Sequence, residues 1–463
     1  MWYALSMTTL AGRCACLASL ALAAVAGGQS PTPTPTPTPP PAPIATPAPA
    51  PAPAPAAFAD PAPPGGQVAK RVEALPLGAV NPTATDLQAA MARGCDILLA
   101  LQEAAGPGQE PRAQWPYEGV YRVNRQIPVA YRIGGTAIAA LALIDTPGYA
   151  ENPERQAAVA RATAFICAGI AEPLMSVDDY DAGYDVRGWG YTYGVLVLTR
   201  LKTGKMIPAG QEDALEKAMA FYLDGIERTQ IPQTGGWNYA RPAGRDKPAA
   251  PSSFMTAATL QALFAAKAAG YDVSAGTITK ALDFLERTRD AVGTVAYSGT
   301  PGRRSEGTPG AVGRMCIVEA TLVMAGRGSL RDVRGAVDAF IAHWEWLDQR
   351  RQKGGTHEGP YAVAPYYFMF AHHYAAQCVQ LLPRSERNEY NRRLNQHLFR
   401  VRGPDGGWND RVFTRSAGYG TAMAMMAIGG PEVYPYNAEQ PPGANAAPAA
   451  NVPAPATAPA EGR

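Results

Sequence analysis

The stretch Lys217-Ala218-Met219-Ala220-Phe221-Tyr222, running on through Gln230 to Gly235-Gly236-Trp237, decides how this chain folds. Residues 212–228 around it place Leu215, Met219, Tyr222 and Ile226 three or four positions apart, with charged residues between them. That spacing paints one apolar stripe on a polar helix, so the segment is an outer helix with one face on a core. The glycines then turn the chain into residues 253–268, which are apolar or small on nearly every side. A helix of that composition is surrounded by protein and reads as an inner helix.

The same outer-turn-inner pattern returns along the chain. Arg93-Gly94, Ile97-Leu98 and Gln102 form one copy, and Arg161-Ala162 with Phe165-Ile166 another. Lys280-Ala281 with Phe284-Leu285 follows, with Arg289 where Gln is expected. Arg334-Gly335 with Phe340-Ile341 makes a fifth copy, and a faint sixth near Arg393 is closed by Gly406-Gly407-Trp408. The copies recur about every 60 residues, room for two helices and two loops. Inner helices are expected near 134–144, 191–201, 253–268, 312–325, 365–381 and 417–428. Six outer and six inner helices, the inner ones rich in Ala, Gly and Thr, close into an all-α double ring.

The ends of the chain differ from this middle. Of 44 prolines, 16 fall in residues 31–64 and 8 in residues 431–463. Residues 1–26 read as a secretory signal, with Arg13 before an apolar run and Ala24-Val25-Ala26 before Gly27. The run makes a helix of about 20 Å, too short to cross a bilayer. Residues 27–84 read as a disordered Pro/Ala/Thr-rich stalk, with a polyproline stretch that reaches about 100 Å at ~3.1 Å per residue. Residues 431–463 read as a disordered tail, which leaves 85–430 for the ring. The expected location is outside the cytoplasm, in the periplasm or cell envelope, with the stalk as a tether. Cys95, Cys167, Cys316 and Cys378 sit in apolar helical patterns and are expected as buried thiols. Lys and Arg number 41 against 39 Asp and Glu, a balance that argues against a nucleic-acid partner.

The Arg/Lys-Gly/Ala, aromatic-Leu, Gln and Gly-x-Trp pattern resembles the repeat of the terpenoid cyclase and protein prenyltransferase superfamily. The resemblance covers about residues 85–430 and implies an α/α toroid. It implies that Gln and Trp tie one helix end to the next, a structural task. The family's catalytic strings are absent: no Asp-x-Asp-Asp acid occurs, and Arg314 stands two before Cys316 where a zinc site would need Asp. No metal ligand set is assigned.

Candidate chemistry rests on residue types. Asp178, Asp179 and Asp181, with Asp185 beyond, form an acidic loop that suits a proton donor or a Ca²⁺ ion. Glu319 and Arg314 on an inner helix suggest a partly open, wet central hole. His372 and His373 lie on the next inner helix and complete the catalytic candidates. Loops feeding the inner helices carry the ligand-binding candidates Arg187, Tyr191, Trp237, Tyr239, Arg241, His357, Tyr361, Tyr366, Tyr367 and Arg411. Aromatic rings beside Arg suit a small-molecule, isoprenoid or saccharide ligand at the ring mouth. The first expectation is a binding or interaction module. The alternatives are a lyase-like polysaccharide enzyme with an Arg/Tyr/His site, and an isoprenoid cyclase of squalene type with a non-standard acid.

Overall fold

The computed structural model of the chain describes residues 80–104, 112–178, 186–239, 241, 244–299 and 307–437. Outer helices are α1 (Ala84–Leu101), α3 (Pro153–Ala168), α5 (Glu212–Thr229), α7 (Ala275–Arg287), α9 (Leu330–Arg350) and α11 (Arg384–Arg400). Inner helices are α2 (Val129–Asp145), α4 (Arg187–Thr203), α6 (Ser253–Ala268), α8 (Gly307–Met324), α10 (Tyr367–Leu381) and α12 (Ala417–Gly429). Among the described residues the strands are β1 (Glu103–Ala104) and β2 (Arg112–Gln114), one short antiparallel pair. Side chains start several helices. Thr83 and Asp86 form a reciprocal capping box on α1, and Ser252, Ser274 and Ser329 cap α6, α7 and α9.

Each inner helix packs on the next, and α12 packs back on α2. Outer helices lie chiefly on the inner helix before them, and α1 lies on α12. The ring is therefore closed, an α/α toroid as the repeat pattern implies.

The joints show why the sequence repeats. The indole N–H groups of Trp115, Trp237 and Trp408 donate to Leu98 O, Ile226 O and Leu398 O at 2.6, 2.8 and 2.9 Å. These carbonyls lie in the last turns of outer helices; Leu98 O and Leu398 O also accept the cap N–H of Gln102 and Val401, so the indole adds a second bond there. The same three tryptophans donate their main-chain N–H to Thr136, Thr256 and Thr421 of inner helices at 2.9, 2.9 and 3.1 Å. Gln102 and Gln230 bridge to Ala158 O and Thr277 O of the following outer helices. Two glycines with positive φ complete the match. A Cβ on Gly235 (φ +83) would lie 2.5 Å from Lys280 O, and one on Gly406 (φ +91) 2.9 Å from Arg93 Cγ. The seam between last and first repeat is thus built like an internal joint.

Two joints depart from the pattern. Arg289, in the place of Gln, donates to Glu319 at 2.8 Å. Trp344 of α9 donates to His372 Nε2 of α10 at 2.8 Å.

Two expectations need correction. Glu319 faces Arg289 and the outer layer, and is only 2% exposed, so it does not mark a wet hole. Arg314 is 1% exposed and spends its donors on Val295 O and Gly310 O. Polar side chains deeper in the ring satisfy one another: Gln261 Nε2 reaches Thr321 and Gln377, and Thr192 meets Thr259. The tail begins later than residue 431. Residues 431–437 pack on the far ends of inner helices: Glu432 O accepts from Gln377 at 2.7 Å, and Tyr436 stacks on Phe264 with centroids 4.7 Å apart. All four cysteines outside the leader are buried and free.

Candidate functional site at the mouth of the ring

The joints aim particular residues inward. Two positions after the three repeat tryptophans stand Tyr117, Tyr239 and Asp410. Facing them are aromatics from the first turns of inner helices: Tyr131, Trp189, Phe254, Tyr367 and Tyr419. Ring contacts join these groups. Tyr117 lies 5.0, 4.6 and 6.0 Å from Tyr131, Tyr419 and Trp189, and Phe254 lies 6.1 and 5.6 Å from Tyr239 and Tyr367. The site is an aromatic lining at the N-terminal rim of the inner helices.

One half of it is a chain of hydroxyls. Tyr121 and Tyr239 hydroxyls are 2.8 Å apart, and Tyr297 donates to Tyr239 at 3.3 Å. Tyr366 lies beside Tyr297, and its hydroxyl is 2.8 Å from His357 Nε2. His357 Nδ1 is 2.8 Å from Ala362 O. A carbonyl only accepts, so Nδ1 carries a proton; in the neutral ring Nε2 is then the acceptor and Tyr366 donates to it. Burial, with Tyr367, Tyr297 and Tyr239 nearby, holds the Tyr366 phenol well above its ordinary range. The group is neutral at rest and a strong base once it has lost its proton.

The other half is polar and unsatisfied. Asp410 is fully buried; Oδ2 accepts from Met369 N at the start of α10, at 3.2 Å, while Oδ1 has no partner among the described residues. Burial lifts its carboxyl to about 6 against the pull of Arg411. Arg411, 3% exposed, lies 5.7 Å from the Phe413 ring centre.

Of the sequence candidates, Tyr239, His357, Tyr366, Tyr367 and Arg411 come together here. The others have different surroundings. Arg187 donates to Ser176 O, Tyr191 to Met175 O, Trp237 to Ile226 O, and Arg241 to Thr229 O and Lys247 O. These four fasten loops to helix ends, because a buried fork or hydroxyl is most cheaply satisfied by a nearby carbonyl. Tyr361 packs edge-on against Trp346 of the outer layer at 4.7 Å. His372 is locked on Trp344, and burial holds its imidazole neutral, well below the usual range. His373 packs against Tyr374, and burial lowers it to about 4. Glu319 is raised to about 7 by burial but stays on Arg289, on the outer side of α8.

Asp178 corrects the expectation of a stored proton. It is exposed and bonded to Arg228, which holds its carboxyl below the usual value and so ionised. Asp179, Asp181 and Asp185 lie outside the described residues, and the Ca²⁺ expectation lies there with them. Among the described residues no three His, Cys, Asp or Glu side chains gather as a metal site.

Residue types alone missed Tyr117, Tyr121, Tyr131 and Tyr419. For Tyr117 a signal exists: Trp115-Pro-Tyr117, Trp237-Asn-Tyr239 and Trp408-Asn-Asp410 align, so all three inward positions follow from the repeat.

No family model matches the chain, and no curated protein matches it. Solved structures do. An inactive variant of the GH76A α-1,6-mannanase of Salegentibacter sp. HEL1_6, in complex with α-1,6-mannotetrose, is 12% identical. The match covers 74% of this chain and 99% of that one, with a TM-score of 0.50. The unsaturated glucuronyl hydrolase of Bacillus sp. GL1 is 11% identical over 74% and 96% of the two chains, TM-score 0.48. The type II terpene cyclase MstE of Scytonema is 11% identical over 74% and 97%, TM-score 0.41. At these identities the likeness is one of fold, the all-α toroid.

Proposed function

We propose that this chain is an exported enzyme that works on a saccharide chain by proton transfer, with Tyr366 and His357 as its acid–base unit. The observation that carries the reading is the oriented hydrogen bond from Tyr366 to His357 Nε2 at 2.8 Å, in an aromatic lining. General acid–base catalysis needs a group that can pass a proton, and a tyrosine bonded to a histidine can do so. Rings such as Tyr121, Tyr239 and Tyr297 offer flat faces and hydroxyls, which suit the apolar faces and hydroxyl edges of a sugar. The mannanase of the same fold holds mannotetrose, which supports saccharide binding at the level of fold. The isoprenoid alternative has less support, since the described member of its acidic string, Asp178, is tied to Arg228 on the surface.

In a lyase-like step the Tyr366 oxygen takes a proton from a sugar carbon while its own moves to His357 Nε2. The carbon–hydrogen electrons form the new double bond, the glycosidic carbon–oxygen bond breaks, and the proton returns to the departing oxygen. The test is turnover of a polysaccharide panel, followed by new reducing ends. Tyr366→Phe keeps the ring and removes the proton. It should lower kcat by about 10²- to 10⁴-fold and leave KM nearly unchanged. Undiminished turnover by that variant overturns the assignment.

A further inference from the structure

The Tyr366–His357 unit leaves the second half of the lining unused. Arg187, Arg241 and Arg314 are as buried as Arg411, and each donates to main-chain carbonyls. Arg411 does not. Its main-chain N–H donates to Asn409 Oδ1 at 2.9 Å, but its guanidinium has no acceptor and no ion pair among the described residues, and Nε is buried without a partner. A guanidinium brings five donors in a flat fork, and burying them unmet is costly. More donors surround it. Trp189 Nε1 is buried without a hydrogen-bond partner among the described residues, and the phenols of Tyr117, Tyr131 and Tyr419 stand near the guanidinium. Arg411 interacts electrostatically with all three phenols and with Asp410. First turns of α2, α4 and α12 supply Tyr131, Trp189 and Tyr419, so positive helix ends face the same space.

Such a set of donors calls for a flat, negatively charged acceptor. A carboxylate matches the guanidinium fork bidentately. A doubly charged phosphate would be set against the Asp410 carboxyl, whereas a single negative charge can share a proton with it. We propose that Arg411 receives the carboxylate of an acidic sugar, so that the substrate is a uronate-bearing polysaccharide. The proposal rests on the saccharide reading and narrows it. It also fits an elimination, because a neighbouring carboxylate held by Arg makes the carbon-bound proton easier to remove.

The test is calorimetric binding of the full chain to oligomers of glucuronate, galacturonate and mannuronate, beside neutral oligosaccharides of equal length and inorganic phosphate. An oligouronate should bind at least 10-fold more tightly than its neutral counterpart. Arg411→Gln should weaken the oligouronate at least 10-fold and leave the neutral sugar unaffected. Asp410→Asn, which removes a competing negative charge and keeps the shape, should bind the oligouronate no more weakly. If Arg411→Gln does not fold, Arg411→Lys keeps the charge without the fork and should still lose affinity; wild-type affinity in that variant overturns the proposal. Equal binding of acidic and neutral oligomers overturns it and leaves the saccharide reading standing. Binding of phosphate alone, or of no saccharide, overturns both.

Discussion

Trp237 and Trp189 sit in the same ring and have opposite fates. The indole N–H of Trp237 is spent on Ile226 O at the joint, as are those of Trp115 and Trp408 at theirs. Among the described residues the indole N–H of Trp189, at the mouth, has no partner, nor has Asp410 Oδ1 or Arg411 Nε. At these three joints the indole N–H is met and helps hold the ring, while at the mouth these three polar atoms are without partners among the described residues. Buried polar groups without partners cost stability, and they persist where a ligand completes them.

The largest expected effect tests the joint. Trp237→Ala removes a fully packed indole and its bond to Ile226 O, and should cost about 3–5 kcal/mol of folding stability in urea melts. A loss under about 1 kcal/mol would mean that the repeat Trp is not what holds the ring. The mouth should respond with the opposite sign. Asp410 ionises at about 6 when folded, against 3.8 ordinarily. Between those values the folded protein keeps a proton that the unfolded chain has released, so stability falls as pH rises through the window. Asp410→Asn should therefore be more stable than the parent by about 2–3 kcal/mol above pH 7. The gain should vanish below about pH 4, where both states are protonated. An Asn variant less stable than the parent at pH 8 would make Asp410 a supporting residue and remove it from the contrast. The smallest effect belongs to neither region. Asp178→Ala should leave both melting temperature and turnover unchanged, because its partner Arg228 is a surface residue. A collapse of activity would move the centre of chemistry to the acidic loop.

The ring was legible because its signal repeats. Ser253–Ala268 matches the expected inner helix at both ends, and the others agree to within a few residues. The seam could be inferred from Gly406-Gly407-Trp408, a copy of the turn at Gly235. The mouth was harder to read. Arg241 and Arg411 are indistinguishable as letters; only the fold shows that one fork ends on carbonyls and the other ends on none. Tyr131 and Tyr419 lie in inner helices whose apolar character hides a hydroxyl. His372 looked chemical because histidine titrates, yet a neighbouring Trp from α9 consumes its Nε2.

The seam has one more consequence. Since α1 lies on α12, and Tyr117 is 4.6 Å from Tyr419, distance along the chain is a poor guide to distance from the chemistry. Neither extremity of the helical region is an appendage. Cutting into the helical region from either side would open the ring, and adding a helix pair would widen its circumference. The helical region can be trimmed or extended only by becoming a ring of another size.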